Sequence, residues 1–279
     1  MSAPREIKGL TVAISGAARG IGRCTAETLV GAGARVAIGD LDQALAEQTA
    51  GEIANGTIGL ALDVTKRESY EAFIAAVEEQ LGPIDVLINN AGIMHVGRFL
   101  EESDEIADLQ LDVNCRGVLH GMKTVLPRFV GRGRGHLINI ASITGKVGTI
   151  SVATYSGTKH FVVGVSETVH EELKGTGVNI SYVCPGPVRT EMTTGIPDGR
   201  FVKFLVPQDV ADAVLATVRK PRVDVFVPRS LRSAAASQYL VPRPGRELMS
   251  KAVKADVGLQ TDQRARKAYE ERAAASRSK

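Results

Sequence analysis

A tyrosine and a lysine four positions apart, Tyr155 and Lys159, are the residues of this sequence best suited to move a proton. On a helix, side chains at this spacing lie on one face, about one turn from each other. A free phenol has a pKa of about 10 and is a poor base at neutral pH, but a neighbouring ammonium favours the phenolate and lowers that pKa. The pair therefore indicates a general acid/base, although the same spacing is also common in ordinary surface pairs.

Ser142 lies thirteen positions before Tyr155 and directly follows an apolar run at 135–141. The run predicts a buried strand, so the serine hydroxyl is expected at the carboxyl end of that strand. In an open α/β sheet, ligands bind at this edge. We therefore expect Ser142 to face the same site as Tyr155.

A glycine-rich turn follows the first predicted strand, which runs from Gly9 to Ser15. Glycines permit a tight turn and let a pyrophosphate approach the N–H groups at the start of the next helix. The spacing, G-x-x-x-G-x-G, differs from the commoner G-x-G-x-x-G fingerprint. Its place between the first strand and the first helix still favours dinucleotide binding over a turn without a ligand. The residues predicted to contact the cofactor here are Gly16, Arg19, Gly20, Ile21 and Gly22.

Asp40, at the end of the second predicted strand, bears on the choice of dinucleotide. A carboxylate there accepts hydrogen bonds from the ribose hydroxyls of the adenosine and repels a 2′-phosphate, which favours NAD over NADP. Arg19 is the counter-argument, because a cation in the glycine turn can hold that phosphate. With Asp40 present, we expect Arg19 to be solvated or to contact the pyrophosphate.

Short polar and small residues also follow the third and fourth predicted strands. Asp63 and Val64 fit recognition of the adenine, and Asn90-Ala91-Gly92 fits close approach of the backbone to the cofactor. Both segments are equally compatible with plain turn chemistry.

Asn114 lies in a long helical stretch, from about 103 to 130, which we expect Pro127 to break or end. Asparagine is a mediocre helix former. The amide is therefore expected to hold a kink or an ordered water, or to be a satisfied core group.

The elements that must position these residues alternate between strand and helix over residues 7–228. Such alternation predicts βαβ units and a parallel sheet with right-handed crossovers. The expected fold class is α/β: a Rossmann-type, doubly wound parallel sheet with helices on both faces, followed by a C-terminal helical extension. We take 1–229 as the catalytic, NAD-binding domain and 230–279 as the extension.

Composition limits the remaining possibilities. The chain has 279 residues and a net charge of +3, and it contains no apolar run long enough for a membrane span. Three scattered cysteines lack metal-ligand spacing and predict a reduced, cytoplasmic protein without a disulfide framework. We expect no metal site and no nucleic-acid partner.

The C-terminal extension is basic, with 15 Lys and Arg against 6 Asp and Glu from Arg219 onward. We expect Leu231 to Val241 to form a helix, with two alternatives of equal weight: a lid near the substrate, or a solvated extension. Weak association with an anionic membrane surface is a further possibility for this segment. From Gln260 the sequence predicts a frayed helix or disorder.

Together these residues resemble the short-chain dehydrogenase/reductase family over about residues 9–228. Gly16, Gly20 and Gly22 match its glycine turn, with Ser15 where threonine is usual, and Asn89 to Gly92 match its N-N-A-G element. Two further sets of positions correspond: a nicotinamide-contacting loop at Pro185, Gly186, Val188 and Thr190, and a catalytic tetrad at Asn114, Ser142, Tyr155 and Lys159.

The resemblance implies a role for each tetrad residue. Tyr155 would be the acid/base, Lys159 would lower its pKa and bind the nicotinamide ribose, and Ser142 would donate to the substrate oxygen. Asn114 would hold a water that connects Lys159 to solvent. Related enzymes also form homodimers or homotetramers, and a long C-terminal extension would obstruct one such interface.

The substrate is expected to be an apolar secondary alcohol or its ketone, of steroid, retinoid or long-chain type. Its pocket should involve His95, Thr144 and the loop from Glu191 to Leu205, which carries Met192, Ile196, Phe201 and Phe204. Two alternatives remain: an NADPH-dependent 3-oxoacyl reductase, which Arg19 permits and Asp40 opposes, and a non-catalytic dinucleotide-binding scaffold.

Overall fold

The centre of the molecule is a sheet of seven parallel strands in the order β3-β2-β1-β4-β5-β6-β7. The computed structural model describes residues 4–197, 204–240 and 261–275. Runs of β-branched and other apolar residues form the strands, which are buried on both faces as in other parallel sheets. The strands are β1 Thr11–Ser15, β2 Arg35–Asp40, β3 Ile58–Ala61, β4 Val86–Asn89, β5 Gly135–Ile140, β6 Val178–Pro185 and β7 Asp224–Val227.

Helices connect the strands and cover both faces of the sheet, as the alternating pattern predicts. They are α1 Gly20–Gly31, α2 Gln43–Ile53, α3 Arg67–Leu81, α4 Asp104–Leu111, α5 Gly117–Arg132, α6 Ala153–Glu172, α7 Pro207–Arg219, α8 Ser230–Leu240 and α9 Gln263–Ala275.

Each face of the sheet has its own hydrophobic core, because alternate side chains of a strand point to opposite sides. On one side, Ala13 and Leu87 pack with Phe129 of α5. On the other, Val12 and Ile88 belong to a second cluster. The two cores fix the register of the sheet and hence the positions of its carboxyl ends.

The strand order reverses between β1 and β4, which are neighbours in space. The chain leaves these two strands in opposite lateral directions, and this opens a crevice at their carboxyl ends where ligands bind in such folds. The glycine turn follows β1, and Asn90 follows β4. Two of the predicted cofactor segments therefore meet at this crevice.

The helical stretch around Asn114 differs from the prediction in one respect. Pro127 does not end a helix, because α5 continues to Arg132 and buries Phe129 beyond the proline. The irregularity lies earlier, where Asp112–Arg116 forms a π-helical turn between α4 and α5. Burial of residues on both sides of Pro127 offsets the single backbone hydrogen bond that a proline removes.

The C-terminal segment is more ordered than the sequence suggested. Gln263–Ala275 forms α9, where a frayed helix or disorder was expected. In α8, Leu231 packs on the hydrophobic core that contains Phe129. Two parts of the lid predicted for Leu231 to Val241 lie outside the described residues, namely the side chain of Tyr239 and the whole of Val241.

Candidate active site

The glycine turn is held open by close packing against the segment after β4. Gly16 has φ +63°, and a Cβ atom added to it would lie 2.6 Å from the Cα atom of Ala91. A Cβ atom on Gly22 would lie 2.5 Å from the side-chain amide of Asn90. Only glycine fits either position, since such contacts are shorter than van der Waals packing allows.

Asn90 connects β4 to the glycine turn through its side chain. Its Nδ2 donates to the carbonyl oxygens of Ser15 at 3.0 Å and Gly16 at 2.8 Å. In return, the hydroxyl of Ser15 accepts hydrogen bonds from the backbone N–H groups of Asn90 and Ala91. These reciprocal bonds fix the start of α1, including Ile21, in the crevice.

This cradle fits a dinucleotide pyrophosphate. Gly20 has φ +57°, and a Cβ atom on it would reach to 3.6 Å from the methyl group of Thr190. The glycine turn and the loop after β6 thus face each other at the N-terminus of α1. Free N–H groups at a helix start favour an anion, and the missing side chains let it approach the backbone.

Asp40 lies at the carboxyl end of β2 and points back to the glycine turn. Its carboxylate accepts hydrogen bonds from the backbone N–H groups of Ala18 and Asp42, both at 3.2 Å. Burial raises the pKa of Asp40, and these two hydrogen bonds oppose the shift. Each carboxylate oxygen keeps a second lone pair with which it can accept a ribose hydroxyl.

Arg19 is paired with two carboxylates. Its guanidinium lies 3.3 Å from Glu191 and 3.8 Å from Asp42. Sequence reasoning did not assign Asp42 or Glu191 to Arg19, and for Glu191 only the fold brings a residue after β6 next to the glycine turn. The positive charge that could attract a 2′-phosphate is thus already neutralised in part.

The ends of β3 and β6 carry the other predicted cofactor residues. Asp63 accepts hydrogen bonds from Thr65 and pairs with Lys66 at 3.2 Å, while Val64 is buried beside Gly117. These contacts are local turn chemistry, which is compatible with either sequence interpretation. After β6, Pro185 and Gly186 lead into a loop in which Val188 is buried and Thr190 receives a hydrogen bond at its backbone carbonyl from Thr193.

The four predicted catalytic residues come together at the carboxyl ends of β4 and β5. Tyr155 and Lys159 lie on one face of α6, with the lysine Nζ 5.6 Å from the centre of the tyrosine ring. The same Nζ donates to the backbone carbonyl of Ile140, the last residue of β5, at 2.8 Å. Ser142 follows two residues later, and its interaction with Tyr155 lowers the tyrosine pKa against the effect of burial.

Asn114 belongs to the π-helical turn and faces the same site. Its side-chain amide exchanges hydrogen bonds with the backbone of Ile93, both at 2.9 Å, and donates to Thr158 on α6. A methyl group on Gly92 would lie 3.2 Å from the Asn114 oxygen and 3.5 Å from Lys159 Nζ. The amide is thus hydrogen-bonded within a π-helical turn, and its oxygen lies close to the lysine Nζ on the far side of Gly92.

Burial dominates the proton affinities of the two central groups. Tyr155 is 8% exposed and Lys159 is 4% exposed. Burial raises the pKa of Tyr155 above its usual range, against the hydrogen bond from Ser142, and lowers the pKa of Lys159 to about 8. The expected lowering of the tyrosine pKa by the ammonium is not the dominant effect here, because desolvation disfavours both charged forms.

An apolar pocket wall surrounds the tyrosine. Tyr155 clusters with Met94, Val96 and Val152, and Met192 and Ile196 pack against this group. Ser151, just before Val152, adopts φ +68°, an uncommon conformation for a residue with a side chain. Strained backbone of this kind is often found beside functional sites.

The remaining predicted substrate residues lie nearby. Thr144 donates its backbone N–H to the Ser142 hydroxyl at 3.1 Å, and its own hydroxyl is buried without a partner among the described residues. His95 follows Met94 and lies 3.6 Å from Glu270 of α9. Phe201 lies outside the described residues.

Helix α9 is the largest feature of the site that sequence reasoning missed. Arg266 is fully buried and donates to the backbone carbonyls of Met94, Met192 and Thr194. The hydroxyl of Tyr269 accepts a hydrogen bond from the backbone N–H of Met94 at 3.0 Å. The helix therefore lies across the segments that flank Tyr155.

Two kinds of feature are absent from the part of the chain that the structure describes. No helix in this part of the chain is long and apolar enough to span a membrane. Over the same residues, no group of three or more His, Cys, Asp or Glu side chains is arranged to hold a metal ion.

Comparison with known proteins agrees with this architecture. Residues 10–200 match the family model described as short chain dehydrogenase. The sorbitol dehydrogenase of Cereibacter sphaeroides is 36% identical over 200 residues, 71% of this chain and 78% of that enzyme.

Two solved structures show the same fold. The 3-ketoacyl-(acyl-carrier-protein) reductase of Brucella melitensis, complexed with NADH, has a TM-score of 0.73 and 29% identity, and the match covers 79% of this chain and 97% of that one. A short chain dehydrogenase/reductase of Burkholderia phymatum, in complex with NAD, has a TM-score of 0.77 and 24% identity, covering 83% and 93%.

Proposed function

The chain belongs to the short-chain dehydrogenase family and is an oxidoreductase of CH–OH groups, and we propose that it interconverts an apolar secondary alcohol and its ketone with NAD as cofactor. The observation that carries this proposal is the placement of Tyr155. Ser142 lowers its pKa from the end of β5, Lys159 lies one helical turn away, and the residues packed around it are apolar.

Each tetrad residue has a task that follows from its contacts. In ketone reduction, the Tyr155 hydroxyl gives its proton to the carbonyl oxygen, while Ser142 donates a hydrogen bond to the same oxygen. The raised pKa keeps Tyr155 protonated at neutral pH, as a proton donor requires. Lys159 stabilises the phenolate of Tyr155 that remains after the proton transfer. Asn114 fixes the backbone of Ile93 beside Lys159. A bound nicotinamide supplies the hydride in reduction and accepts it in oxidation.

The preference for NAD is supported by the charges near the adenosine end of the crevice. Asp40 and Asp42 both lie there, and Arg19 is engaged by Asp42 and Glu191. A 2′-phosphate would bring negative charge next to two carboxylates, where Arg19 is already paired with Asp42 and Glu191. The solved relatives bear on this point, since their structures contain NAD or NADH.

The substrate class is supported by the pocket wall. Met94, Val96, Val152, Met192 and Ile196 favour a hydrocarbon body over a sugar. The sorbitol dehydrogenase relative is named for a polyol, so its pocket is expected to differ at these positions.

A 3-oxoacyl reductase is the second candidate, because the Brucella melitensis relative carries that activity in its name. The two proposals differ in substrate, and parallel assays with acetoacetyl-coenzyme A and a series of apolar ketones separate them. A kcat/KM for acetoacetyl-coenzyme A well above that for every apolar ketone would decide for the acyl substrate.

Replacement of Tyr155 tests the proposed mechanism. Tyr155→Phe retains the ring and its packing but removes the proton donor, so we expect kcat to fall by about 10²–10⁴-fold. The affinity for NADH, measured by fluorescence titration, should stay within about twofold of wild type. A variant that kept more than a few per cent of the wild-type rate would show that another group moves the proton.

A further inference from the structure

One buried arginine, Arg266, makes most of the hydrogen bonds between helix α9 and the two segments beside Tyr155. Nη1 of Arg266 donates to the carbonyls of Met192 at 2.8 Å and Thr194 at 3.2 Å, and Nη2 donates to the carbonyl of Met94 at 2.9 Å. Nε lies 3.3 Å from Glu270, which supplies the opposite charge. A buried cation is tolerated only when its N–H groups are hydrogen-bonded in this way. The three carbonyls and Glu270 therefore restrict the Arg266 side chain to one position.

The start of the helix also fits only this position. The N–H of Asp262 donates to the carbonyl of Gly195 at 2.9 Å. Gly195 has φ +79°, and a Cβ atom on it would lie 2.5 Å from the carbonyl oxygen of Asp262. The glycine therefore permits the helix to approach the loop that carries Met192.

Arg266 in turn holds Tyr269. The guanidinium lies 5.2 Å from the centre of the Tyr269 ring, within the range of a cation–π contact. The Tyr269 oxygen accepts its hydrogen bond from Met94, a member of the cluster around Tyr155. These two contacts fix the ring and hold its hydroxyl at Met94, which packs in the same cluster as Tyr155.

The hydroxyl hydrogen of Tyr269 is left to donate. A phenol has one donor and accepting lone pairs, and only the accepting side is used by the described part of the chain. Burial raises the pKa of Tyr269, which keeps that hydrogen in place. Electrostatic interaction with Tyr269 is one of the causes that raise the pKa of Tyr155. A donor in this location can reach a substrate whose reacting carbon lies at Tyr155.

We propose that Tyr269 is a specificity-determining residue that donates a hydrogen bond to a second oxygen of the substrate, and that Arg266 is its positioning residue. The preferred substrates are then apolar molecules with two oxygens, a hydroxyketone, diketone or diol, rather than simple ketones or alcohols. This inference rests on the proposed function for the identity of the reacting site.

Equilibrium binding to the protein–NADH complex tests Tyr269 without turnover, because an alcohol and a reduced cofactor cannot react. The probes are cyclohexanol and the cyclohexane-1,2-, 1,3- and 1,4-diols, titrated against NADH fluorescence. One hydrogen bond of ordinary strength gives about a fivefold to tenfold preference, so at least one diol should bind more tightly than cyclohexanol by that factor. In Tyr269→Phe this preference should disappear, while the affinity for cyclohexanol stays unchanged. Equal binding of all four probes by the wild type, or a preference that persists in the variant, would overturn the proposal.

The positioning role of Arg266 needs a readout that a loss of stability alone does not move. Arg266→Met should remove the diol preference as Tyr269→Phe does, and Arg266→Lys should restore part of it. Arg264→Met, an exposed change on the same helix, is the matched control and should leave the preference intact. If Arg266→Met retains the full preference, Arg266 does not position Tyr269.

The two proposals fail in different experiments. Loss of the Tyr155 assignment would be seen in the rate of Tyr155→Phe, whereas the diol preference is measured at equilibrium. A wild-type preference that disappears in Tyr269→Phe therefore supports the second contact even if Tyr155 is not the acid/base.

Discussion

The glycine turn and helix α9 approach the same site but are held in place by different means. Backbone groups, small residues and one amide, Asn90, fix the glycine turn, and its key contacts involve two short segments. In helix α9 the side chain of Arg266 makes the most hydrogen bonds, reaching carbonyls in two loops far away in sequence, and Asp262 and Tyr269 add one each. A structure made by backbone constraints leaves a motif in the sequence. A helix that is held largely by one long side chain leaves almost no recognisable motif in the sequence.

The largest expected effect tests the backbone constraint on the glycine turn. Gly16→Ala would place a Cβ atom 2.6 Å from Ala91 Cα in a residue with φ +63°. We expect NADH affinity to fall by more than about 100-fold and the free energy of unfolding by about 2 kcal/mol, measured by fluorescence titration and urea denaturation. The matched control is Gly31→Ala in α1, where nothing lies within 4 Å of the added atom. A Gly16→Ala protein that bound NADH as the control does would show that the close approach is not required.

The next effect concerns Lys159 and the pH dependence of stability. Burial lowers its folded-state pKa to about 8 from 10.5, so between these values the unfolded state binds more protons than the folded state. Stability contributed by this residue therefore rises with pH through that window, and the cost of the buried charge is fully present below it. Relative to Lys159→Met, the wild type should gain about 2 kcal/mol between pH 7 and 9.5 in urea denaturation. Parallel pH profiles would contradict the depressed pKa.

Sequence reasoning succeeded where chemistry and position coincide. The alternation of strands and helices predicted the sheet, and the strand ends placed the glycine turn, Asn90 and Ser142 at one edge. The spacing of Tyr155 and Lys159 on a helix brought both side chains to that edge. These features follow from local periodicity, which a sequence displays directly.

It failed where the deciding quantity is burial. The direction of the Tyr155 pKa shift depends on desolvation, which residue spacing does not reveal. The continuation of α5 through Pro127 depends on packing beyond the proline. A helix was one of two alternatives from Gln260 onward, but the sequence did not predict its place beside Tyr155, because its residues are mostly charged or alanine. The one signal was the three-residue spacing of Arg266 and Tyr269, which places them on one face.

An effect of intermediate size is expected at Asp40, which lies beside the glycine turn. Asp40→Ala removes the carboxylate that accepts hydrogen bonds from the N–H groups of Ala18 and Asp42 and that, on the proposed preference for NAD, would repel a 2′-phosphate. We expect the ratio of NADH affinity to NADPH affinity to fall by about 10-fold. NADH loses one charged hydrogen bond to its ribose, and the 2′-phosphate of NADPH is no longer repelled by the carboxylate. Titration of both cofactors against wild type and variant measures this. Comparable affinities for the two cofactors in the unmutated protein would refute the assignment of Asp40.

The smallest effect is expected at the exposed end of the contact between the two regions. Arg272 of α9 pairs with Glu191 at 2.8 Å, and Glu191 also pairs with Arg19 in the glycine turn. The Arg272 and Glu191 side chains are about half exposed, so the pair is screened by water and should contribute at most about 0.5 kcal/mol.

Arg272→Ala should therefore leave the unfolding midpoint and the diol preference unchanged within error. Hydrogen exchange of residues 263–275 should likewise match wild type, whereas Arg266→Met should expose these amides, because three backbone carbonyls lose their donor. If Arg272→Ala released the helix as completely as Arg266→Met, surface charge rather than the buried arginine would hold α9. Helix α9 would then be held in place by the exposed Arg19–Glu191–Arg272 ion pairs, and these pairs would join it to the glycine turn.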